Sequence, residues 1–224
     1  MRPTIDSDFF SLPPLRAFGH RGSGGTHPEN TLPSFQAAVD AGASYLETDV
    51  HMTRDGEIVI SHDDNLERTC AMPGRIREMT CAEIATADAA FGYSPDGVDF
   101  PFRGKGIRVP RLGEVLSTFR NLRFNIDIKP DQAGIVERAL KVIEAAGMRR
   151  MVLLASEHQE RLNEIRALAP AIPTSFGYHE VAGFLAAMAS GSGHYTAPGE
   201  ALQIPPEYYS WKLVTPQTVE VARR

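Results

Sequence analysis

The sequence predicts an α/β protein made of successive β–α–β units whose strands form a parallel sheet. Three observations carry this. Short apolar runs alternate with helical patterns along most of the chain. Four successive apolar runs end in, or carry, ionisable residues. One stretch, residues 64–111, breaks the rhythm with Gly74, Gly92, Gly97, Gly104 and Gly106 and with Pro95, Pro101 and Pro110.

Residues 15–19 read as the first strand, ending at His20. A helix follows over 32–41: Asn30 or Thr31 caps its start, Pro33 sits in its first turn and Gly42 follows its end. Residues 44–50 are the second strand and 57–61 the third. A helix over 112–119 leads into a fourth strand at 123–128. An amphipathic helix spans 134–146 and stops at Gly147. A fifth strand at 151–155 precedes a helix over 158–168. Residues 174–177 and 201–204 are weaker sixth and seventh strands, and 215–224 begin another helix. A structureless connection as long as 64–111 is uncommon and usually functional. We expect an insertion after the third strand there, forming a small lid over one end of the sheet, within a single domain over 1–224.

Composition narrows the function. With 224 residues, 42% hydrophobic and 23% charged, the chain is ordinary globular sequence, not disordered or collagen-like. A formal charge of −5 argues against a nucleic-acid partner, which calls for a basic stripe. No apolar run reaches the roughly 18 residues of a membrane helix, so stable membrane insertion is not expected. The first residues mix Asp6, Asp8 and three prolines into an apolar stretch, unlike a secretory leader. Cys70 and Cys81 are too few for a disulfide framework and read as free thiols in a reducing compartment. A cytoplasmic protein is the expectation.

The chemistry collects at the strand ends. The first strand runs into His20-Arg21-Gly22, the second carries Glu47 and Asp49, the third ends in His62-Asp63, and the fourth carries Asp127 and leads to Lys129. Residues two apart on a strand share a face, so Glu47 and Asp49 point the same way, as do Asp127 and Lys129. The carboxyl ends of parallel strands lie along one edge, where α/β folds place their sites. Singly, each residue has a structural explanation: a core histidine, a surface ion pair, a turn aspartate, a solvated edge strand. Jointly, they gather several charges at one place, and burying unpaired charge costs several kcal/mol per group. Such a cluster persists when it binds something. Glu47, Asp49 and Asp127 would raise one another's pKa unless a cation intervened. Oxygen-only ligation points to Mg²⁺ or Ca²⁺, with zinc admissible if a histidine joins. Arg21 and Lys129 then suit a phosphate group, and His20 and His62 can exchange protons near neutral pH. The constellation reads as metal-assisted phosphoester hydrolysis.

The ordered set of motifs resembles the glycerophosphodiester phosphodiesterase family. It comprises His20-Arg21-Gly22, Pro28-Glu29-Asn30-Thr31, Glu47-Thr48-Asp49-Val50, His62-Asp63, Leu66-Glu67-Arg68-Thr69, residues 109–116 and Asn125-Ile126-Asp127-Ile128-Lys129. The resemblance implies a (β/α)8 barrel of the TIM type with a small insertion after strand 3. It implies hydrolysis of glycerophosphodiesters such as glycerophosphocholine to glycerol 3-phosphate and an alcohol, a reaction of lipid and glycerol metabolism. It further implies His20 and His62 as the acid/base pair, Arg21 and Lys129 as phosphate ligands, and Glu47, Asp49 and the fourth-strand acid as metal ligands. Two departures stand out. Asp127 occupies a position where the family usually has Glu, and Trp211, the only tryptophan, lies outside the context of the family's closing strand. Barrels of this type typically have about 250 residues. With seven strand candidates and no eighth, the expectation is a barrel lacking its last βα unit. Two other functions share the site: a lysophospholipase D-like lipid phosphodiesterase, and a non-catalytic phosphate-binding barrel. Phe91, Tyr93, Phe100 and Phe102 in the insertion are interleaved with charged and glycine residues, which favours a soluble head group over lipid.

Overall fold

The computed structural model describes residues 5–13, 16–129, 132–190 and 195–223. In chain order its elements are β1 (Phe18–His20), α1 (Leu32–Asp40), β2 (Tyr45–Met52), β3 (Ile58–Ile60), β4 (Asn65–Leu66), α2 (Glu67–Cys70), β5 (Met72–Arg75) and α3 (Cys81–Ile84). There follow α4 (Leu112–Thr118), β6 (Arg123–Ile128), α5 (Ile135–Ala145), β7 (Val152–Ala155), α6 (Gln159–Leu168), α7 (Tyr178–Ala189), β8 (Glu207–Tyr208), β9 (Trp211–Lys212) and α8 (Pro216–Ala222). Leu15, placed in the first strand by the sequence, lies outside the described residues.

The main sheet has the order β1-β2-β6-β7, all parallel. Helices cover one face. Leu46, Phe124 and Val152 on the strands share one buried cluster with Phe35 of α1, Leu116 of α4 and Val136 of α5. This is the β–α–β rhythm read from the sequence. Thr31 caps α1 by accepting from the Ser34 N–H, and Pro33 lies in the first turn. On the other face Tyr45, Leu153 and Ala155 pack with Phe9, whose carbonyl accepts a 2.6 Å hydrogen bond from the Tyr45 hydroxyl.

The third strand departs from the expectation. β3 runs antiparallel to β2, with Met52 opposite Ile58 and Val50 opposite Ile60. It is the return arm of a hairpin. Five residues separate the two strands, far fewer than a parallel crossover needs. Gly56 adopts φ +82°, and Thr53 closes the turn by donating to Asp55 and accepting from the Glu57 N–H. Asp55-Gly56 is a hairpin signal in its own right.

Beyond β7 the parallel ladder thins to single bridges, Leu154 with Thr174 and Ser175 with Ala201. The sixth and seventh strand candidates are these two positions. With 57–61 removed, the ladder among the described residues has six parallel positions, from β1 to Ala201, not seven. Helix α7, unanticipated by the sequence reading, starts where Glu180 accepts from the Gly177 N–H.

Residues 64–111 hold the β4–β5 hairpin, α2 and α3 around a separate cluster that includes Leu66, Ile76 and Ile84. Their tip reaches the loop after β1. The Tyr93 hydroxyl donates to the Gly25 carbonyl at 3.3 Å, and the Phe102 and His27 rings lie 5.0 Å apart. Cys70 and Cys81 are free and buried. Among the described residues no helix is long and apolar enough to cross a membrane.

Candidate active site

The hairpin explains how a residue after an antiparallel strand joins the site. The Arg21 N–H bonds the Glu47 carbonyl and the Ser61 N–H bonds the Asp49 carbonyl. Those two carbonyls lie on the same edge of β2. β1 climbing and β3 descending therefore meet end to end beside β2, bringing His20-Arg21 and His62 over Glu47 and Asp49. From the other edge, β6 pairs Asp127 with Asp49, and the Lys129 N–H bonds the Val50 carbonyl. All seven residues singled out in the sequence thus cluster around the carboxyl end of β2.

Arg21 has φ +54°, a left-handed conformation that residues with a Cβ adopt rarely and hold at some cost. Its N–H contacts both the backbone carbonyl and the carboxylate of Glu47, at 3.0 and 3.1 Å. Its carbonyl accepts from the Asn30 N–H and the Ser34 hydroxyl. The next residue, Gly22, has φ +84° and lies so close to α1 that a Cβ there would sit 2.6 Å from the Ser34 carbonyl carbon. The glycine of His-Arg-Gly is therefore a backbone requirement. The Arg21 side chain donates to Glu29 Oε1 at 3.2 Å, while its buried Nε lies 3.5 Å from Asp49 Oδ2 without a hydrogen bond.

The acids are unequal. The Asp49 side chain is 4% exposed and faces Lys129 Nζ at 2.9 Å. It also accepts from Asn30 Nδ2 at 3.1 Å, and Asn30 accepts in turn from the Thr48 hydroxyl. Asp127 takes the other side of the Lys129 ammonium at 2.5 Å, leaving its Oδ1 buried without a partner. Burial, then Asp49 and Asp127, push the Glu47 carboxyl up to about 7. Burial also raises Asp127, against the pull of Lys129. Burial works to lower the Lys129 pKa, but Asp127 and Asp49 outweigh it and hold the ammonium above its usual range. Lys129, expected as a phosphate ligand, here bridges two of the expected metal acids.

The histidines are the accessible groups. The His20 side chain is 72% exposed, its Nε2 3.8 Å from Glu47 Oε2, and burial followed by Arg21 lowers its pKa. His62 Nδ1 lies 2.7 Å from Asp63 Oδ1. Glu29, Asn30 and Asp63 belong to the site but had no role in the sequence reading. Their signal was their place inside the motifs that carry the resemblance.

These residues fit a hard divalent cation. Among the described residues no three metal-ligating side chains form a ready-made centre. Yet Glu47 is a buried carboxyl held near neutrality, and Asp127 Oδ1 is a buried acceptor without a donor. An oxygen-ligated dication would satisfy both. A pH test follows for the protein in chelator. A carboxyl at about 7 when folded and about 4.5 when unfolded binds more protons in the folded state, so its contribution erodes stability as pH rises between these values. Glu47→Gln should therefore unfold later than wild type at pH 8 and near wild type at pH 4. A wild-type advantage at pH 8 in denaturant melts would contradict it.

Buried carboxylates, two cationic side chains and two histidines thus gather around the carboxyl end of β2 in an α/β fold. The chain belongs to the glycerophosphoryl diester phosphodiesterase family, which it matches over residues 20–187. It is 33% identical, over 67% of its length, to a glycerophosphodiester phosphodiesterase of Caldanaerobacter subterraneus, covering 61% of that protein. It is 29% identical to a human lysophospholipase D, over 72% of this chain and 51% of that one. An Oleispira antarctica phosphodiesterase, solved with the product sn-glycerol 3-phosphate, aligns with a TM-score of 0.62 and 29% identity, covering 75% of this chain and 67% of the other. The chain spans 61–64% of the length of the first curated relatives that it matches.

Proposed function

We propose that this chain hydrolyses glycerophosphodiesters to glycerol 3-phosphate and an alcohol. The observation that carries this is the meeting of His20 and His62 over Glu47, Asp49 and Asp127, with Arg21 held beside them. Arg21 and Lys129 bind the phosphodiester oxygens and offset charge that develops there. One histidine takes the proton of the attacking hydroxyl, and the other gives a proton to the leaving alkoxide as the P–O bond breaks. The attacker is water or the glycerol 2-hydroxyl, the second route passing through a cyclic phosphate. Glu47, Asp49 and Asp127 would hold Mg²⁺ or Ca²⁺, which when bound supplies charge stabilisation to the phosphoryl oxygens.

The test is turnover of a panel of glycerophosphodiesters, beginning with glycerophosphocholine, with Mg²⁺ or Ca²⁺ and in excess chelator. Turnover with metal and none in chelator is expected; undiminished turnover in chelator would refute the carboxylate assignment, and no turnover of any diester would refute the function.

One observation favours a second reading, a lipid phosphodiesterase. A cavity of about 760 Å³ opens beside Glu47 and Asp127, with Val181, Leu185, Ile204 and Trp211 in its wall. Such a wall suits an acyl chain better than a polar head group. Faster turnover of lysophosphatidylcholine than of glycerophosphocholine would decide for it.

A further inference from the structure

Arg68 stands on α2, in the segment 64–111, outside the set of groups assigned to the chemistry. Its guanidinium nevertheless reaches two carboxylates at once. Nε donates to Asp63 Oδ2 at 2.7 Å, while Nη1 and Nη2 grip Glu29 at 2.9 and 2.7 Å. Each carboxylate has a second partner. Asp63 Oδ1 holds His62 Nδ1, and Glu29 Oε1 holds Arg21 Nη1. A continuous chain thus runs from His62 through Asp63, Arg68 and Glu29 to Arg21. We propose that Arg68 is a positioning residue that fixes the proton-transferring His62 and the phosphate-binding Arg21 relative to one another.

The geometry suits that role. Arginine's planar fork fixes orientation where a lysine would supply only charge. An ionised carboxylate only accepts hydrogen bonds, so Asp63 holds the proton of His62 on Nδ1 and leaves Nε2 for exchange. Arg68 and His62 keep the Asp63 carboxyl below its usual range despite burial, and Arg68 with Arg21 does the same for Glu29. The backbone beneath Arg68 is braced as well. The Gly92 N–H bonds the Thr69 carbonyl at 2.9 Å, and a Cβ on Gly92 would sit 2.1 Å from the Arg68 carbonyl oxygen. Stability is a weak reason for the arrangement. The Arg68 side chain is 51% exposed, and ion pairs of that exposure contribute little to folding. On this view Arg68 is the side chain through which the segment 64–111 clamps the acids behind two working groups.

The inference rests on the proposed function for the roles of His62 and Arg21, so its test includes readouts that need no turnover. In long-range ¹H–¹⁵N spectra, wild-type His62 should show the Nδ1–H tautomer. Arg68→Gln should shift it toward the Nε2–H form, and Asp63→Asn should do the same. Inorganic phosphate should bind several-fold more weakly to Arg68→Gln and to Glu29→Gln, with little further loss in the double variant. On a hydrolysed diester, Arg68→Gln should lower kcat by up to about 10²-fold, as misplacement of a reacting group can do, and raise KM. Asp63→Asn should affect mainly kcat and Glu29→Gln mainly KM. Arg68→Lys should recover little of either, and the unfolding midpoint should scarcely move. An unchanged His62 tautomer together with unchanged phosphate affinity in Arg68→Gln would overturn the proposal, as would fully additive double variants. A wild type that turns over no diester would sink the proposed function, while the tautomer and phosphate readouts would still decide the clamp.

Discussion

His62→Asn is expected to lower kcat on a glycerophosphodiester by about 10²–10⁴-fold, the usual contribution of a positioned acid or base. The fold should survive. His62 is only partly buried, and its side-chain partner Asp63 remains tied to Arg68. Asparagine retains a donor for Asp63 but transfers no proton near neutral pH. His20→Asn should behave alike, since the His20 side chain is largely exposed and its Nε2 lies 3.8 Å from Glu47 Oε2, beyond hydrogen-bond distance. Activity and the unfolding midpoint should be read on the same preparation. Near-full activity in either variant would remove that histidine from the chemistry, whereas a collapsed midpoint would make its role structural.

Asp49→Ala should strike both stability and activity. Asp49 is buried and faces Lys129, Asn30 and the Arg21 guanidinium. Removing one partner of a buried pair leaves the other charge uncompensated, at a cost of about 3–5 kcal/mol. Asp127 still faces Lys129, so the lower end of that range is the better expectation. Asp49→Asn keeps the volume and an acceptor for Asn30, and should unfold less readily than the alanine variant while remaining inactive. A loss below about 1 kcal/mol in denaturant melts of Asp49→Ala would place that pair among the weak, solvent-screened kind.

Much of this site is legible in the sequence alone. Ionisable residues at the ends of successive apolar runs marked His20, Arg21, Glu47, Asp49, His62, Asp127 and Lys129, and the structure draws all of them to one place. The strand at 123–128 has the predicted bounds, because polar Arg123, Asn125 and Asp127 alternate with buried Phe124, Ile126 and Ile128, a two-residue pattern that leaves little choice of register. The third strand was misread because its apolar residues look the same in either direction. The Asp55-Gly56 turn held the information about direction. Helix α7 carried no periodic pattern strong enough to announce it, since most of its residues are small or apolar.

By itself, the sequence determined which groups are present, their order along the chain and the strands that carry them. These follow from local rules: two-residue alternation on a strand, cap residues at helix starts, glycine at positive φ. Tertiary structure decided which groups face which. Lys129 binds Asp49 and Asp127 because β6 docks beside β2 with those two acids in register. Arg68 reaches Glu29, 39 residues away in the chain, because segment 64–111 folds back over the loop after β1. Such pairings depend on distances between elements brought together by burial of apolar surface, and no local pattern encodes them.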